Sequence, residues 1–262
     1  MSSLFTRISK GHFLGKGGNG KVFEAHSKNG DKQLVVKQGR WWSQHCETPP
    51  EIANTCLMQQ MGVRGINHMV DCEIYHDKTK NGASNYSVVF ERMPMDLFTY
   101  VEKFDIPEPV VKDIMWQIIL ILCEMDSKCQ LMHMDMKPEN VLIDPDTIEV
   151  RLCDLEFCVP TDDECISLKS YEVSTPAYRA PERQFKVCFP RKSTVWSLGI
   201  MAYEMLHDDV PWESYVIEKG AALKFGTNVS EQYINFVLAC LEPIPSERPE
   251  VSALLQHQWL CD

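Results

Sequence analysis

The segment that decides the fold is Leu131-Met-His-Met-Asp-Met-Lys-Pro-Glu-Asn-Val-Leu-Ile143. It places Asp135, Lys137 and Asn140 in one short loop, and Asp154 follows behind a second apolar stretch. An aspartate can accept a hydroxyl proton, a lysine can neutralise a transferring phosphoryl group, and amide and carboxylate oxygens suit Mg²⁺. Each residue alone would be an ordinary surface polar residue, but the four at this spacing predict a phosphoryl-transfer site.

A glycine-rich segment near the start of the chain reads Leu14-Gly-Lys-Gly-Gly-Asn-Gly-Lys-Val22. Glycines let the backbone approach a phosphate and present N–H groups to it, although a plain hairpin turn has the same pattern. The next residues, Val22–Ala25, are β-prone and precede a turn at Lys28-Asn-Gly. The glycines should therefore join two strands, which excludes a dinucleotide-binding fold, and the absence of G-K-[ST] excludes a Walker motif.

A lysine ends the next apolar strand, at Leu34-Val-Val-Lys37, and Glu51 follows in a predicted helix over Pro50–Met61. A lysine with apolar residues behind it is partly desolvated, so a carboxylate partner stabilises it. The pair Lys37–Glu51 could hold nucleotide phosphates. The alternative interpretation of Lys37 is a solvated lysine on an edge strand.

The pattern of the chain changes near Pro107. Short β-prone stretches dominate before it, whereas apolar residues after it recur at three- and four-residue steps, as on a buried helix face. Further helices are predicted over Val195–Leu206 and Ser230–Leu241. We therefore expect a small β-rich part followed by a larger helical part.

Composition limits the class of partner. The 262 residues include 26 Lys plus Arg and 37 Asp plus Glu, a net charge of −11. This balance argues against nucleic acid or an anionic membrane and leaves room for a basic substrate. The apolar stretch Ile118–Cys123 is far shorter than the roughly 20 residues that cross a bilayer. Eleven cysteines without a C-x-x-C pair, and no signal-peptide pattern, predict an intracellular protein in the cytoplasm, the nucleus or both.

Taken together, these motifs resemble the eukaryotic-type protein kinases from about Gly11 to Asp262. The segment Ser174-Thr-Pro-Ala-Tyr-Arg-Ala-Pro-Glu182 is similar to the end of a kinase activation loop, and Arg248 to the arginine that pairs with its glutamate. The glycine-rich segment, the hinge-like Phe90-Glu-Arg and the ending His257-Gln-Trp-Leu look most like the PIM serine/threonine kinases.

The resemblance implies an α+β, two-lobed kinase fold in which a β-rich N-lobe precedes a mainly helical C-lobe. One kinase domain would cover residues 11–260, with the N-lobe at about 1–92, the hinge at about 91–96 and the C-lobe at about 97–262. The implied partners are ATP and basic, arginine-rich protein or peptide substrates, but neither nucleic acid nor a membrane. The default expectation is a monomer.

The resemblance also implies roles for the motif residues. Asp135 would be the catalytic base, Lys37 would hold the ATP phosphates with Glu51 as its brace, and Asn140 and Asp154 would bind Mg²⁺, with Mn²⁺ as an alternative ion. The implied catalytic set is Asp135, Lys137, Lys37 and Glu51. Phe90 would be the gatekeeper within a larger ATP-contacting set: Leu14, Gly15, Lys16, Gly17, Gly18, Asn19, Gly20, Lys21, Val22, Val35, Lys37, Phe90, Glu91, Met93 and Asp96.

The resemblance also implies that acidic residues near the site bind arginines of the substrate. The alternative is that they are ordinary solvated carboxylates. The four candidates are Asp96, Glu139, Asp209 and Glu213.

The sequence departs from the kinase pattern at several positions. Met134 replaces the arginine that usually binds an activation-loop phosphate, and Thr194 replaces an aspartate that steadies the catalytic loop. Glu156 replaces a glycine after the metal-binding aspartate, so its backbone should be more restricted and its carboxylate should lie near the metal. Met93 replaces the PIM hinge proline and restores an N–H for adenine.

These departures shape the functional hypotheses. Without the arginine, activity should not depend on phosphorylating the activation-loop candidates Thr161, Ser167, Ser170, Tyr171 and Ser174. An active serine/threonine kinase is favoured because no catalytic group is missing, and Lys137 and Thr175 favour serine and threonine as acceptors. The alternatives are a pseudokinase that binds nucleotide or partners without phosphoryl transfer, and a scaffold that binds no ATP.

Overall fold

Five strands at the N-terminal end form one antiparallel sheet in the computed structural model. The structure describes residues 8–17, 20–27, 33–42, 48–76, 83–162, 165–167, 175–211 and 223–261. The strand order is β1-β2-β3-β5-β4. The strands are β1 (Ile8–Gly17), β2 (Gly20–Ser27), β3 (Gln33–Trp42), β4 (Met69–His76) and β5 (Ala83–Glu91).

The register of this sheet positions the glycine-rich segment over the lysine strand. Gly17 of β1 lies opposite Gly20 of β2, which confirms that the glycines join two strands. Gly20 in turn lies opposite Gly39 of β3, so close that a β-carbon there would lie 2.6 Å from the Gln38 carbonyl oxygen. Only glycine fits such an approach. Gly18 and Asn19 lie outside the described residues.

Helix α1 (Pro50–Gln60) packs on one face of the sheet. Pro50 occupies its first turn, where a missing N–H has no cost. Ile52 joins a small core with Val88 and Phe90 of β5. Burying this apolar face fixes the side of the helix that carries Glu51, which is only 2% exposed.

Within the part of the C-terminal lobe that the structure describes, six helices surround one large hydrophobic core. The longest, α3, buries Ile114, Ile118 and Leu122, which repeat at four-residue steps along one face. The helices are α2 (Leu97–Lys103), α3 (Glu108–Cys129), α4 (Pro190–His207), α5 (Glu231–Cys240), α6 (Val251–Leu254) and α7 (Gln258–Cys261). No helix within the described residues is both long enough and apolar enough to cross a membrane.

Short strands that pack into the core of the C-terminal lobe flank the motif residues. The catalytic loop lies between β7 and β8, and Asp154 follows β9. β6, β8 and β9 form one sheet, whereas β7 pairs with β10 and β11 with β12. These strands are β6 (Met95–Asp96), β7 (Leu131–His133), β8 (Val141–Ile143), β9 (Val150–Leu152), β10 (Cys158–Pro160), β11 (Ile166–Ser167) and β12 (Val187–Cys188).

A buried ion pair ties the C-terminal lobe to the end of the activation segment. Arg248 donates from Nη1 to Glu182 Oε1 at 3.1 Å and from Nη2 to Glu182 Oε2 at 3.2 Å. The pairing that the resemblance implied is therefore present. Breaking a buried pair of this kind typically costs about 3–5 kcal/mol.

The predicted α+β organisation is confirmed, with differences at element ends. Helix α4 begins at Pro190 rather than Val195, and its first turns bury the polar Ser193 and Thr194. Strand β4 has no counterpart among the predicted elements, and β1 was predicted only as the strand before the glycines. The proposed turn at Lys28-Asn-Gly lies outside the described residues, and the domain and lobe boundaries stay predictions.

Candidate active site

Lys37 lies between two carboxylates from different parts of the chain. Its Nζ donates to Glu51 Oε1 at 2.7 Å and to Asp154 Oδ1 at 2.9 Å. The second Glu51 oxygen accepts a hydrogen bond from the Tyr86 hydroxyl at 3.1 Å. The predicted Lys37–Glu51 pair is thus formed, and the interpretation of Lys37 as a solvated edge-strand residue is wrong.

The charge state of this cluster follows from its surroundings. Burial alone would lower the pKa of Lys37, but the Glu51 and Asp154 carboxylates outweigh burial and raise it. Lys37 is therefore a cation held between Glu51 and Asp154. An ammonium group that pairs with carboxylate oxygens can also pair with phosphate oxygens, so Lys37 is suited to binding a phosphate group.

The Asp135 carboxylate is the centre of a second polar cluster. Its Oδ1 accepts from the Thr175 amide at 2.7 Å, and its Oδ2 lies 3.2 Å from Lys137 Nζ. Lys137 also donates to the Thr175 hydroxyl at 2.7 Å. The catalytic loop and the end of the activation segment are thus joined at the Asp135 carboxylate.

Asp135 is ionised in this setting. Its burial opposes ionisation, but the Thr175 amide and the Lys137 charge more than compensate and lower its pKa. His133 is buried and its pKa is lowered by that burial, so it is neutral. Its Nδ1 accepts from the Asp135 amide at 3.2 Å while Nε2 lies 3.1 Å from the Cys153 carbonyl oxygen. This neutral ring links the catalytic loop to the segment that precedes Asp154.

Asn140 and Asp154 offer oxygen atoms that suit a divalent cation. Asn140 Nδ2 donates to the Asp135 carbonyl oxygen at 2.7 Å and to Asp135 Oδ2 at 3.2 Å. Because the amide nitrogen bonds to Asp135, the amide oxygen is the Asn140 atom that could bind a cation. Oxygens of Asp154, Glu51 and Glu156 lie within 4.8 Å of one another. An amide oxygen plus carboxylates is the donor set that Mg²⁺ and Mn²⁺ accept.

Glu156 lies in a 3-10 helix over Leu155–Phe157, a right-handed conformation that glutamate adopts freely. The left-handed residue is Asp154, with φ 57° and ψ 53°. The carboxylate expected near the metal-binding aspartate is confirmed, and the restricted backbone at Glu156 stays a prediction. An aspartate tolerates the left-handed region better than most residues.

The other departures are accommodated by burial. Met134 is 4% exposed, and its sulfur lies 3.8 Å from the Thr194 hydroxyl. That hydroxyl donates to the His133 carbonyl oxygen at 3.2 Å, so Thr194 still tethers the catalytic loop. Thr161, one of the candidate phosphorylation sites, is buried and donates to Asp126 Oδ1 at 2.6 Å. Ser170, Tyr171 and Ser174 lie outside the described residues.

Most of the residues expected around adenine lie on strands β1, β2, β3 and β5. Val35 of β3 lies opposite the buried Phe90 of β5. The Glu91 amide donates to the His68 carbonyl oxygen at 3.0 Å, and Glu91 pairs with Leu34 of β3. Leu14, Gly15, Lys16, Gly17, Gly20, Lys21 and Val22 lie on β1 and β2. Their ATP contacts, and those of Met93 and Asp96, stay predictions.

One acidic residue near the site was missed by the sequence analysis. Glu204 of α4 accepts from the Tyr178 hydroxyl at 2.7 Å. Burial, with smaller contributions from the Glu139 and Asp209 charges, raises its pKa to about 7. The available signal was a single carboxylate in the apolar run Gly199–Leu206.

The four predicted substrate-binding acids differ in their settings. Asp96 caps α2, because its Oδ1 accepts from the Thr99 amide at 2.7 Å. Glu139 and Asp209 are exposed, and Glu213 lies outside the described residues. Of these four acids, Glu139 and Asp209 are the described ones with an exposed carboxylate that a substrate cation could approach. The charges of both act on Glu204.

Comparison with known proteins gives the family. A family model described as "Protein kinase domain" matches residues 8–260. The chain is 27% identical to the zebrafish (Danio rerio) protein named serine/threonine-protein kinase pim-2, across 98% of this chain and 85% of that protein. It is also 27% identical to serine/threonine-protein kinase pakA of Talaromyces marneffei, across 94% of this chain but 38% of that protein. The corresponding values for serine/threonine-protein kinase TIO of Arabidopsis thaliana are 27%, 94% and 18%.

The chain thus spans most of one relative and a minor part of the others. The family match covers both polar clusters and the five-stranded sheet. This protein therefore belongs to the protein kinase family, whose members use ATP and a divalent metal ion to phosphorylate proteins.

Proposed function

We propose that this protein is an active serine/threonine kinase that transfers the γ-phosphoryl group of ATP to basic protein substrates. The observation that carries the proposal is the ion pair of Lys37 with both Glu51 and Asp154. Kinase activity requires the lysine–glutamate pair to be formed and the metal-binding aspartate to be in place. Inactive arrangements separate these groups, whereas this chain holds them together.

The chain's own residues account for the transfer step. Lys37 would hold the phosphates in position, and ionised Asp135 would orient the acceptor hydroxyl and take its proton. Lys137, 3.2 Å from Asp135, would face the charge on the transferring group. A divalent ion on Asn140 and Asp154 would neutralise phosphate charge. Mg²⁺ is the proposed ion, with Mn²⁺ as the alternative that the extra Glu156 carboxylate favours.

Serine and threonine are the proposed acceptors because of the Thr175 contacts. The Thr175 hydroxyl accepts a hydrogen bond from Lys137, and the Thr175 amide donates one to Asp135. One small residue thus contacts both catalytic groups. The relatives described above are also named serine/threonine kinases.

Basic substrates are proposed from the acidic surface beside Asp135. The charges of Glu139 and Asp209 both act on Glu204. Glu204 also lines a groove of about 820 Å³ whose other acidic residues are Glu102, Asp105, Glu108 and Asp208. Arginine guanidinium groups pair well with clustered carboxylates. We further propose an intracellular, monomeric enzyme that acts without nucleic acid or membrane.

A pseudokinase is the second candidate. The departures from the kinase pattern at Met134, Glu156 and Thr194 favour it. A pseudokinase would bind nucleotide without transferring phosphate.

Transfer of labelled phosphate to an arginine-rich serine peptide distinguishes the two candidates. We expect transfer by the unmodified protein with Mg²⁺, and a loss of at least about a hundredfold in Asp135→Asn, because a positioned base contributes about 10²–10⁴-fold. Ser→Tyr and Arg→Gln versions of the peptide test acceptor and basic preference. Nucleotide binding without transfer to any peptide, with Mg²⁺ or Mn²⁺, would establish the pseudokinase.

A further inference from the structure

A buried arginine lies directly behind the catalytic loop. Arg183 belongs to a 3-10 helix over Pro181–Phe185 and is 2% exposed. Its Nη1 donates to the Met134 carbonyl oxygen at 3.4 Å. Met134 immediately precedes Asp135, so the guanidinium touches the backbone that carries the proposed base.

Arg183 has few of the partners that a buried guanidinium requires. Its Nε and Nη2 have no hydrogen-bond partner among the described residues. The adjacent Glu182 carboxylate is already shared by Arg248 and the Ser193 hydroxyl. Burial lowers the pKa of Arg183, and the positive charge of nearby Arg179 lowers it further, although Cys188 acts in the opposite direction. A buried, poorly paired charge destabilises a fold.

The position of Arg183 is informative because the usual arginine is missing. Met134 stands where the kinase pattern has a basic residue, and its apolar side chain turns towards Thr194. A cation that contacts the backbone of this part of the loop comes instead from another element, 49 residues later in the chain. Fold stability does not explain that arginine, since an apolar side chain would fill the same space without unpaired donors.

We infer that Arg183 is a positioning residue for phosphoryl transfer, one that holds the Met134 carbonyl and places positive charge behind Asp135 in lieu of the missing loop arginine. It contacts neither ATP nor the acceptor, and it acts through the catalytic loop. The inference rests on the proposed kinase activity. It also explains how the loop can be ordered without a phosphate on the activation segment.

Arg183→Met tests this role because methionine keeps the bulk and removes the charge. We expect kcat to fall about ten- to a hundredfold, the size of effect that slight misplacement of a catalytic group produces. The KM values for ATP and peptide should change less than twofold, and the melting temperature should stay the same or rise. Arg183→Lys should recover part of kcat. A purely structural arginine would instead lower the melting temperature and show no rescue by lysine.

Arg191→Met is the matched control. Arg191 is an arginine of α4 with a full partner, since its Nε and Nη2 donate to Asp126 at 2.7 and 2.9 Å. Its loss should lower the melting temperature slightly and leave kcat unchanged. An unchanged kcat in Arg183→Met would overturn the inference.

Amide hydrogen exchange separates this inference from the proposed activity. Exchange within residues 132–140 should be faster in Arg183→Met than in the unmodified protein, and exchange elsewhere should match. If the unmodified protein transfers no phosphate, the proposed function fails, but faster exchange would still support the loop-positioning role. Identical exchange in both proteins would contradict it.

Discussion

At the scale of single residues, Glu204 is the acid whose charge changes near neutral pH. Burial and the nearby Glu139 and Asp209 raise its pKa to about 7, although the Tyr178 hydroxyl favours its ionised form. A carboxyl with that pKa is mainly neutral at pH 6 and mainly ionised at pH 8. Only the ionised form attracts an arginine of the substrate.

The KM for an arginine-rich peptide should therefore fall as pH rises from about 6 to about 8. The ionised fraction of a group with pKa about 7 grows about tenfold over that range, which sets the upper limit of the effect. The measurement is peptide KM at saturating ATP across this pH range. Asp135 has a lowered pKa and stays ionised throughout, so its titration does not interfere.

Glu204→Gln supplies the control, since glutamine keeps an acceptor for the Tyr178 hydroxyl. This variant should show a raised KM that no longer varies with pH. A peptide without arginines should give the same KM for both proteins. If Glu204→Gln kept the pH dependence, another group would be responsible.

Residue identity was predictable wherever spacing carried the information. Lys37, Asp135, Asn140 and Asp154 follow from short motifs that fix the type of residue and its neighbours. Glu204 did not, because one carboxylate within a buried helix has no local pattern. Its role depends on Tyr178 and Glu139, which the fold brings close to it.

At the scale of secondary-structure elements, one hydrogen bond joins α1 to the segment after Asp154. Asn54 Nδ2 donates to the Leu155 carbonyl oxygen at 2.8 Å. Glu51 lies one turn earlier on the same helix and pairs with Lys37. The bond therefore holds the helix that carries Glu51 against the segment that carries Asp154.

Asn54→Ala should reduce kcat about fivefold without changing peptide KM. A net hydrogen bond contributes about 1 kcal/mol, and that amount corresponds to about a fivefold change in the population of the assembled site. Steady-state kinetics at saturating ATP measures the effect. Unchanged kcat would show that packing alone holds α1 in place.

Gln59→Ala is the matched control on the same helix. Gln59 exchanges two hydrogen bonds with the Met69 backbone of β4, at 3.1 and 2.8 Å, away from the catalytic residues. Its loss should lower the free energy of unfolding at least as much as Asn54→Ala does. It should leave kcat unchanged, which separates a general loss of stability from loosening of the site.

Elements were predictable from local pattern, but their contacts were not. The prolines before Glu51 gave α1 to within a residue, whereas the change of pattern near Pro107 gave the start of α3 but not its end at Cys129. The early start of α4 was missed because buried Ser193 and Thr194 look like surface residues. The Asn54–Leu155 contact joins positions 101 residues apart, a distance at which sequence spacing carries no information.

At the scale of the whole molecule, charge should guide the substrate. The net charge of −11 creates a field that attracts a basic peptide before it makes any specific contact. Raising the salt concentration from about 10 to about 150 mM shortens the Debye length from about 30 to about 8 Å. We expect kcat/KM for an arginine-rich peptide to fall about tenfold or more over that range, with kcat constant at saturating peptide and ATP. Glu204→Gln should retain this salt dependence, because it removes one contact and not the overall field. A neutral peptide should show no such fall, and an equal fall for both peptides would mean that salt acts on ATP binding or on the fold.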